Sequence, residues 1–168
     1  MNGKQGTARS LIFTWGNPSR GDDAIGPLFY EKCQDLMESG ELEDVEVLTD
    51  FQLQIEHAMD LQDREQVFFV DASIYATPPF EFKPIMPRQD DSFTSHGMTP
   101  QAILSVYQNI SDTPLPECYL LEIRGYEFEL GADITSAARQ NLAAAITAIK
   151  QKIRNKAPKI NTKLISNY

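Results

Sequence analysis

The chain is poor in the residues that most often announce chemistry: two cysteines and two histidines in 168 residues. Cys33 and Cys118 stand in neither a C-x-x-C pair nor a zinc-type spacing, which excludes a disulfide framework and a zinc ribbon and leaves both to be read as buried, reduced thiols. No apolar run approaches the roughly 20 residues that cross a bilayer, and Met1 to Ser10 contain no signal-peptide core, so membrane insertion is not expected and a cytoplasmic location is. Positive charge is also scarce: the formal net charge is -9 and the isoelectric point about 4.7. Such a field repels phosphate backbones and argues against a nucleic-acid partner. The sequence has no H-E-x-x-H helix, no Ser-His-Asp order and no cysteine beside a histidine motif, so any hydrolysis must use another arrangement.

What is present fits one soluble domain, since compact domains run to roughly 100–200 residues. An apolar share of 42% and a charged share of 23% fit a globular chain rather than a disordered one. The charge is uneven. Lys150, Lys152, Arg154, Lys156, Lys159 and Lys163 are basic and nothing acidic follows Lys150, so the first 149 residues hold the other nine basic residues against all 24 acids. Residues 1–153 read as the domain. Residues 154–168 read as a flexible basic tail, with Lys150 to Arg154 facing the negative end of the last helix.

Leu11-Ile12-Phe13-Thr14-Trp15 reads as a buried strand that stops at Gly16-Asn17-Pro18. Ile25, Leu28, Phe29, Cys33, Leu36 and Met37 then recur at helical spacing as far as Gly40. Val45 to Thr49 predict a second strand, and Ile55, Ala58, Met59 and Leu61 a short helix. Val67-Phe68-Phe69-Val70, apolar without alternation, predicts a strand covered on both faces that ends at Asp71. Four prolines between Pro78 and Pro87 around Phe80-Glu81-Phe82 predict an edge strand in loops. Thr99 as N-cap and Pro100 at the first helical position open a helix striped by Ile103, Leu104, Tyr107 and Ile110. Glu117 to Ile123 is the last strand, and Ile134 to Ile153 stripe a terminal helix. Strand and helix alternate throughout, so the expected fold is α/β: a three-layer α/β/α sandwich on a mostly parallel sheet of about five strands. Ligands of such sheets bind at the strands' carboxyl ends.

Three positions could carry chemistry there. The loop after the first strand, Gly16 to Gly26, contains Asp22 and Asp23. Two carboxylates are wrong for cradling phosphate. One of them can cap the following helix while the other faces out. Asp71, at the end of an apolar strand, needs a partner or a crevice to offset its desolvation. His96, in Thr94-Ser95-His96-Gly97-Met98, lies in a loop too polar for a core histidine. His57, beside Glu56, suits a solvated or hydrogen-bonded role. Asp23, Asp71 and His96 together make an O, O, N donor set for a borderline cation such as Ni²⁺ or Zn²⁺.

The order of a strand, Gly16-Asn17, four residues, Asp22-Asp23-Ala24-Ile25-Gly26, an apolar strand ending in Asp71, and then His96 resembles the nickel-iron hydrogenase maturation proteases over nearly the whole chain. That resemblance implies a nickel-dependent, aspartyl peptidase-like endopeptidase that removes the C-terminal extension of a hydrogenase large-subunit precursor after nickel insertion. Asp23, Asp71 and His96 would bind the metal and serve the catalytic site, with Asp22 supporting. Nickel would come with the substrate rather than sit stably in the protein, which is expected to be a monomer. Two departures stand out: Thr14 replaces the first glycine of G-x-G-N, and Asp50-Phe51-Gln52-Leu53 replaces a glycine-rich loop. The rival readings are a nickel-dependent checkpoint that binds the same precursor without cutting it, a flavodoxin-like nucleotide module, and a metallohydrolase with a resident ion.

Overall fold

A computed structural model describes residues 6–89 and 97–156. Five strands, β1 (Ser10–Trp15), β2 (Val45–Asp50), β3 (Gln66–Ser73), β4 (Phe80–Pro84) and β5 (Glu117–Arg124), form one sheet in the order β2-β1-β3-β5-β4. All neighbours are parallel except β4, which runs antiparallel to β5 at the edge. Three helices, α1 (Ile25–Glu38), α2 (Pro100–Ile110) and α3 (Ser136–Lys156), and a 3-10 helix, Ile55–Leu61, cover the sheet.

Two apolar clusters show the layering. Phe29 and Cys33 of α1 and Leu142, Ala145 and Ile149 of α3 pack with Ile12, Val47, Phe68 and Leu121 on one face. Ile103, Leu104 and Tyr107 of α2 and Ala58 and Leu61 of the 3-10 helix pack with Leu11, Phe13, Val67 and Phe69 on the other. Period-2 alternation of a fully buried strand explains why both sets in Val67-Phe68-Phe69-Val70 are apolar. The expected three-layer α/β/α architecture is the one observed.

The boundaries differ in ways that have causes. Thr99 Oγ1 accepts the Ala102 N–H at 3.1 Å, as the N-cap reading requires, but Ile110 is exposed rather than part of the buried stripe. Ile55 and Met59 are exposed too, because the tighter 3-10 turn aims only Ala58 and Leu61 inward. Helix α3 runs to Lys156, past the expected domain edge at residue 153. Its basic residues are occupied laterally: Lys150 Nζ pairs with Glu41 at 2.6 Å, Lys156 Nζ with Glu117 at 2.7 Å, and Lys152 lies over the Tyr119 ring at 4.7 Å. Residues 157–168 of the expected tail lie outside the described residues. Cys33 and Cys118 are buried and unpaired, as expected.

Candidate active site at the carboxyl ends of β1 and β3

From β1 the chain crosses through α1 to β2 on one side, and from β3 it continues to β4 and β5 on the other. The connections therefore diverge between β1 and β3, and their carboxyl ends flank the crevice where open α/β sheets take ligands. Asp23 follows β1 and Asp71 lies on β3, so both reach this point.

The local sequence explains how the first loop is held. Gly16 has φ +150, and a Cβ there would collide with the Asp23 carbonyl; a Cβ on Gly26 would collide with the Trp15 carbonyl. The two glycines thus let the loop fold back on Asp23 and let α1 start directly against the end of β1. Asp23 Oδ2 accepts the Asn17 N–H at 2.8 Å, closing the loop around the carboxylate. Neither aspartate caps α1, contrary to expectation: residues Gly21–Ala24 form a 3-10 turn without a side-chain cap. Asp22 is fully buried and points instead at the segment after β5. It accepts the N–H groups of Tyr126 at 2.6 Å, Glu127 at 3.1 Å and Thr135 at 2.7 Å, and the Thr135 hydroxyl at 2.9 Å. Burial alone would raise its pKa, but these four hydrogen bonds outweigh it and hold the carboxyl below the ordinary range.

Strand β3 does not end at Asp71. It continues to Ser73, because β5 keeps pairing with it through Asp71–Glu122, Ala72–Ile123 and Ser73–Arg124, whereas pairing to β1 stops at Thr14–Val70. Asp71 therefore sits where one neighbour has departed and the other remains. Alternation places it on the face of Val67 and Phe69, with Glu122 beside it on β5. Burial, then the charges of Asp23 and Glu122, push the Asp71 carboxyl up to about 8, partly opposed by the Ala72 N–H. Burial also raises Asp23, against the Asn17 N–H and the nearby Arg20. Asp71 thus feels the charge of Asp23, and a site that disfavours ionisation of its carboxyl favours a cation or a bound proton.

His96 lies outside the described residues. Its successor Gly97 rests against Gln52 and Leu53, and the Met98 N–H donates to the Leu53 carbonyl at 3.0 Å. Among the described residues no group of three His, Cys, Asp or Glu side chains is placed to hold a metal. His57 is hydrogen-bonded, as expected: Nδ1 accepts the Gln54 N–H at 2.8 Å, Nε2 lies 3.3 Å from Asp50, and the ring sits 4.4 Å from that of Phe13. Of the two departures noted in the sequence, the first is internal and the second is so at Leu53, while Phe51 is exposed. Thr14 is buried with its hydroxyl donating to Thr49 Oγ1 at 3.0 Å, and Leu53 is a core residue. Sequence reasoning missed Glu122; its only signal was a charge between Leu121 and Ile123, which alternation assigns to the face of Asp71.

An open, mostly parallel α/β sheet with two carboxylates, Asp23 and Asp71, at its switch point is the class that fold and geometry define. More particularly, this chain has the fold of the [NiFe] hydrogenase maturation proteases. It is similar to the hydrogenase maturating endopeptidase HybD of E. coli, with TM-score 0.66 and 18% identity over 89% of this chain and 94% of that one. It is also similar to the maturation protease HycI of Thermococcus kodakarensis KOD1, with TM-score 0.62 and 20% identity over 90% and 96% of the two chains. A third likeness is an endopeptidase from Escherichia coli solved in solution, with TM-score 0.67 and 18% identity. No family model and no curated protein sequence matches the chain.

Proposed function

We propose that the protein is an endopeptidase that trims the C-terminal extension of a [NiFe] hydrogenase large-subunit precursor once nickel is in place. The observation that carries this reading is the placement of Asp23 and Asp71 at the switch point, with Asp71 burdened by burial and by two neighbouring carboxylates. Several solved structures of like fold are named as maturation proteases or endopeptidases, which agrees with it.

Nickel belongs to the substrate in this reading. Asp23 and Asp71 supply oxygen donors and His96 a nitrogen donor, a set suited to a borderline divalent ion. The arriving cation offsets the burial and the carboxylate repulsion that hold Asp71 protonated, so binding releases a proton and ties affinity to pH. Asp22 does not touch substrate. It keeps the turn bearing Asp23 rigid through its four hydrogen bonds, which places the ligating oxygen before substrate arrives. The scissile peptide, held beside the metal, is positioned for attack by water. The protein acts as a cytoplasmic monomer without a resident metal.

The test mixes the protein, Asp23→Ala or His96→Ala with nickel-loaded and nickel-free precursor and follows trimming on a gel. Cleavage by the wild type alone, and only with nickel, is the expected result. Tight binding without cleavage would replace the endopeptidase with a checkpoint.

A further inference from the structure

Three loops at the carboxyl edge are fastened together, and two of them, after β3 and after β5, keep apolar side chains open to water. The Gly125 N–H donates to the Ser73 carbonyl at 3.0 Å, and Arg124 Nη1 donates to the Ala76 carbonyl at 2.9 Å, which binds the turn after β3 to the segment after β5. The Gly131 N–H donates to the Ser19 carbonyl at 2.7 Å and Arg20 Nε to the Phe128 carbonyl at 3.2 Å, which binds that segment to the loop of Asp23. Asp22 adds its bonds to Tyr126, Glu127 and Thr135. Tyr126 is itself fixed, with its ring over the Arg124 guanidinium at 5.1 Å and its hydroxyl accepting from Asn141 Nδ2 at 3.2 Å.

On this fixed frame Ile74 is 48% exposed, Tyr75 88%, Tyr126 46% and Leu130 76%. Large apolar side chains shown to water on rigid loops mark a binding surface, because their ordering cost is met before the partner arrives. Two further facts say what covers them. The patch is tied to the elements of the carboxylate site, because Ser73, two residues beyond Asp71, accepts from Gly125 and Asp22, next to Asp23, accepts from Tyr126 and Glu127. Glu127, Glu129 and Asp133 flank Leu130 within residues 125–135 and outnumber Arg20 and Arg124, the two cations held against this segment. The complement of an apolar tip among carboxylates is an apolar anchor beside basic residues.

We infer that Ile74, Tyr75, Tyr126 and Leu130 form the docking surface for the polypeptide whose bond is cut at Asp23 and Asp71, and that this substrate carries apolar side chains next to lysine or arginine. The inference rests on the endopeptidase reading of the site. Apolar contact at the tips supplies affinity, and the carboxylates orient the segment and speed encounter.

The experiment measures trimming of nickel-loaded large-subunit precursor by wild type, by the double variant Tyr75→Ser/Leu130→Ser, and by Glu129→Lys/Asp133→Lys. Thermal melts confirm that each is folded, and precursor binding is followed at low and high salt. The expected result is a KM raised about tenfold or more in the serine variant with kcat nearly unchanged. Wild-type affinity should fall with salt, and the lysine variant should bind more weakly with a flatter salt dependence. Trimming by wild type with unchanged KM in the serine variant overturns the docking surface and leaves the endopeptidase standing. Unchanged affinity and salt dependence in the lysine variant overturn the basic-substrate part. A wild-type protein that neither binds nor trims the precursor brings down both readings.

Discussion

Asp71 and Glu122 stand in register on adjacent parallel strands, two carboxylates side by side on one face of the sheet. Glu122 has a cation of its own, Lys83 Nζ at 2.9 Å across the antiparallel edge. Asp71 has none among its described contacts, and burial first, then the charges of Asp23 and Glu122, keep its carboxyl protonated.

The first prediction follows from that shift. Asp71 titrates at about 8 in the fold instead of the ordinary 3.8, so between these values the native state holds a proton that the unfolded chain has lost. Stability therefore falls as pH rises through this window. Asp71→Asn removes the effect. Urea unfolding should show the variant equal to wild type near pH 4 and more stable at pH 8 by at least about 1.4 kcal/mol, the worth of one pK unit.

Asp22 behaves oppositely. Its carboxylate is the acceptor for three backbone N–H groups and a hydroxyl in a buried place, and its pKa is held down. Asp22→Ala leaves those donors orphaned and should cost about 2–4 kcal/mol at pH 7 in denaturant titrations. Asp23→Ala, which frees one N–H, should cost about 1 kcal/mol. The contribution of Asp22 is present at neutral pH and fades as pH falls below about 4.

Gly26→Ala sets a methyl group against the carbonyl that ends β1. Either α1 shifts or the helix start unwinds, and thermal melts should register a loss of about 2 kcal/mol or more.

Cys33 and Cys118 are buried, and burial pushes both thiols up to about 12. Ellman's reagent should label neither in the native protein and both after unfolding in guanidinium.

The layered fold was legible because helices with one apolar stripe and strands with two apolar faces leave different periods in sequence. The extent of β3 was not. Its last pairs depend on β5 continuing after β1 has turned away, a relation among three strands that no window along one of them contains. The site was half legible. A pair of aspartates between glycines marked the loop, but which carboxylate turns inward depends on backbone donors of residues 126–135. The cap expected of one aspartate at α1 was a local solution, and the distant donors outcompeted it.

The partners of Asp22 lie 104 to 113 residues downstream of it. During synthesis the strands β1, β2 and β3 can pair long before that segment leaves the ribosome, and domains generally acquire structure in the order they emerge. Until then the turn carrying Asp23 is held only by its local bonds, such as that from the Asn17 N–H, and lacks the hold of residues 126–135 on Asp22. In a nascent chain the sheet can therefore form before the turn that bears Asp23 is braced.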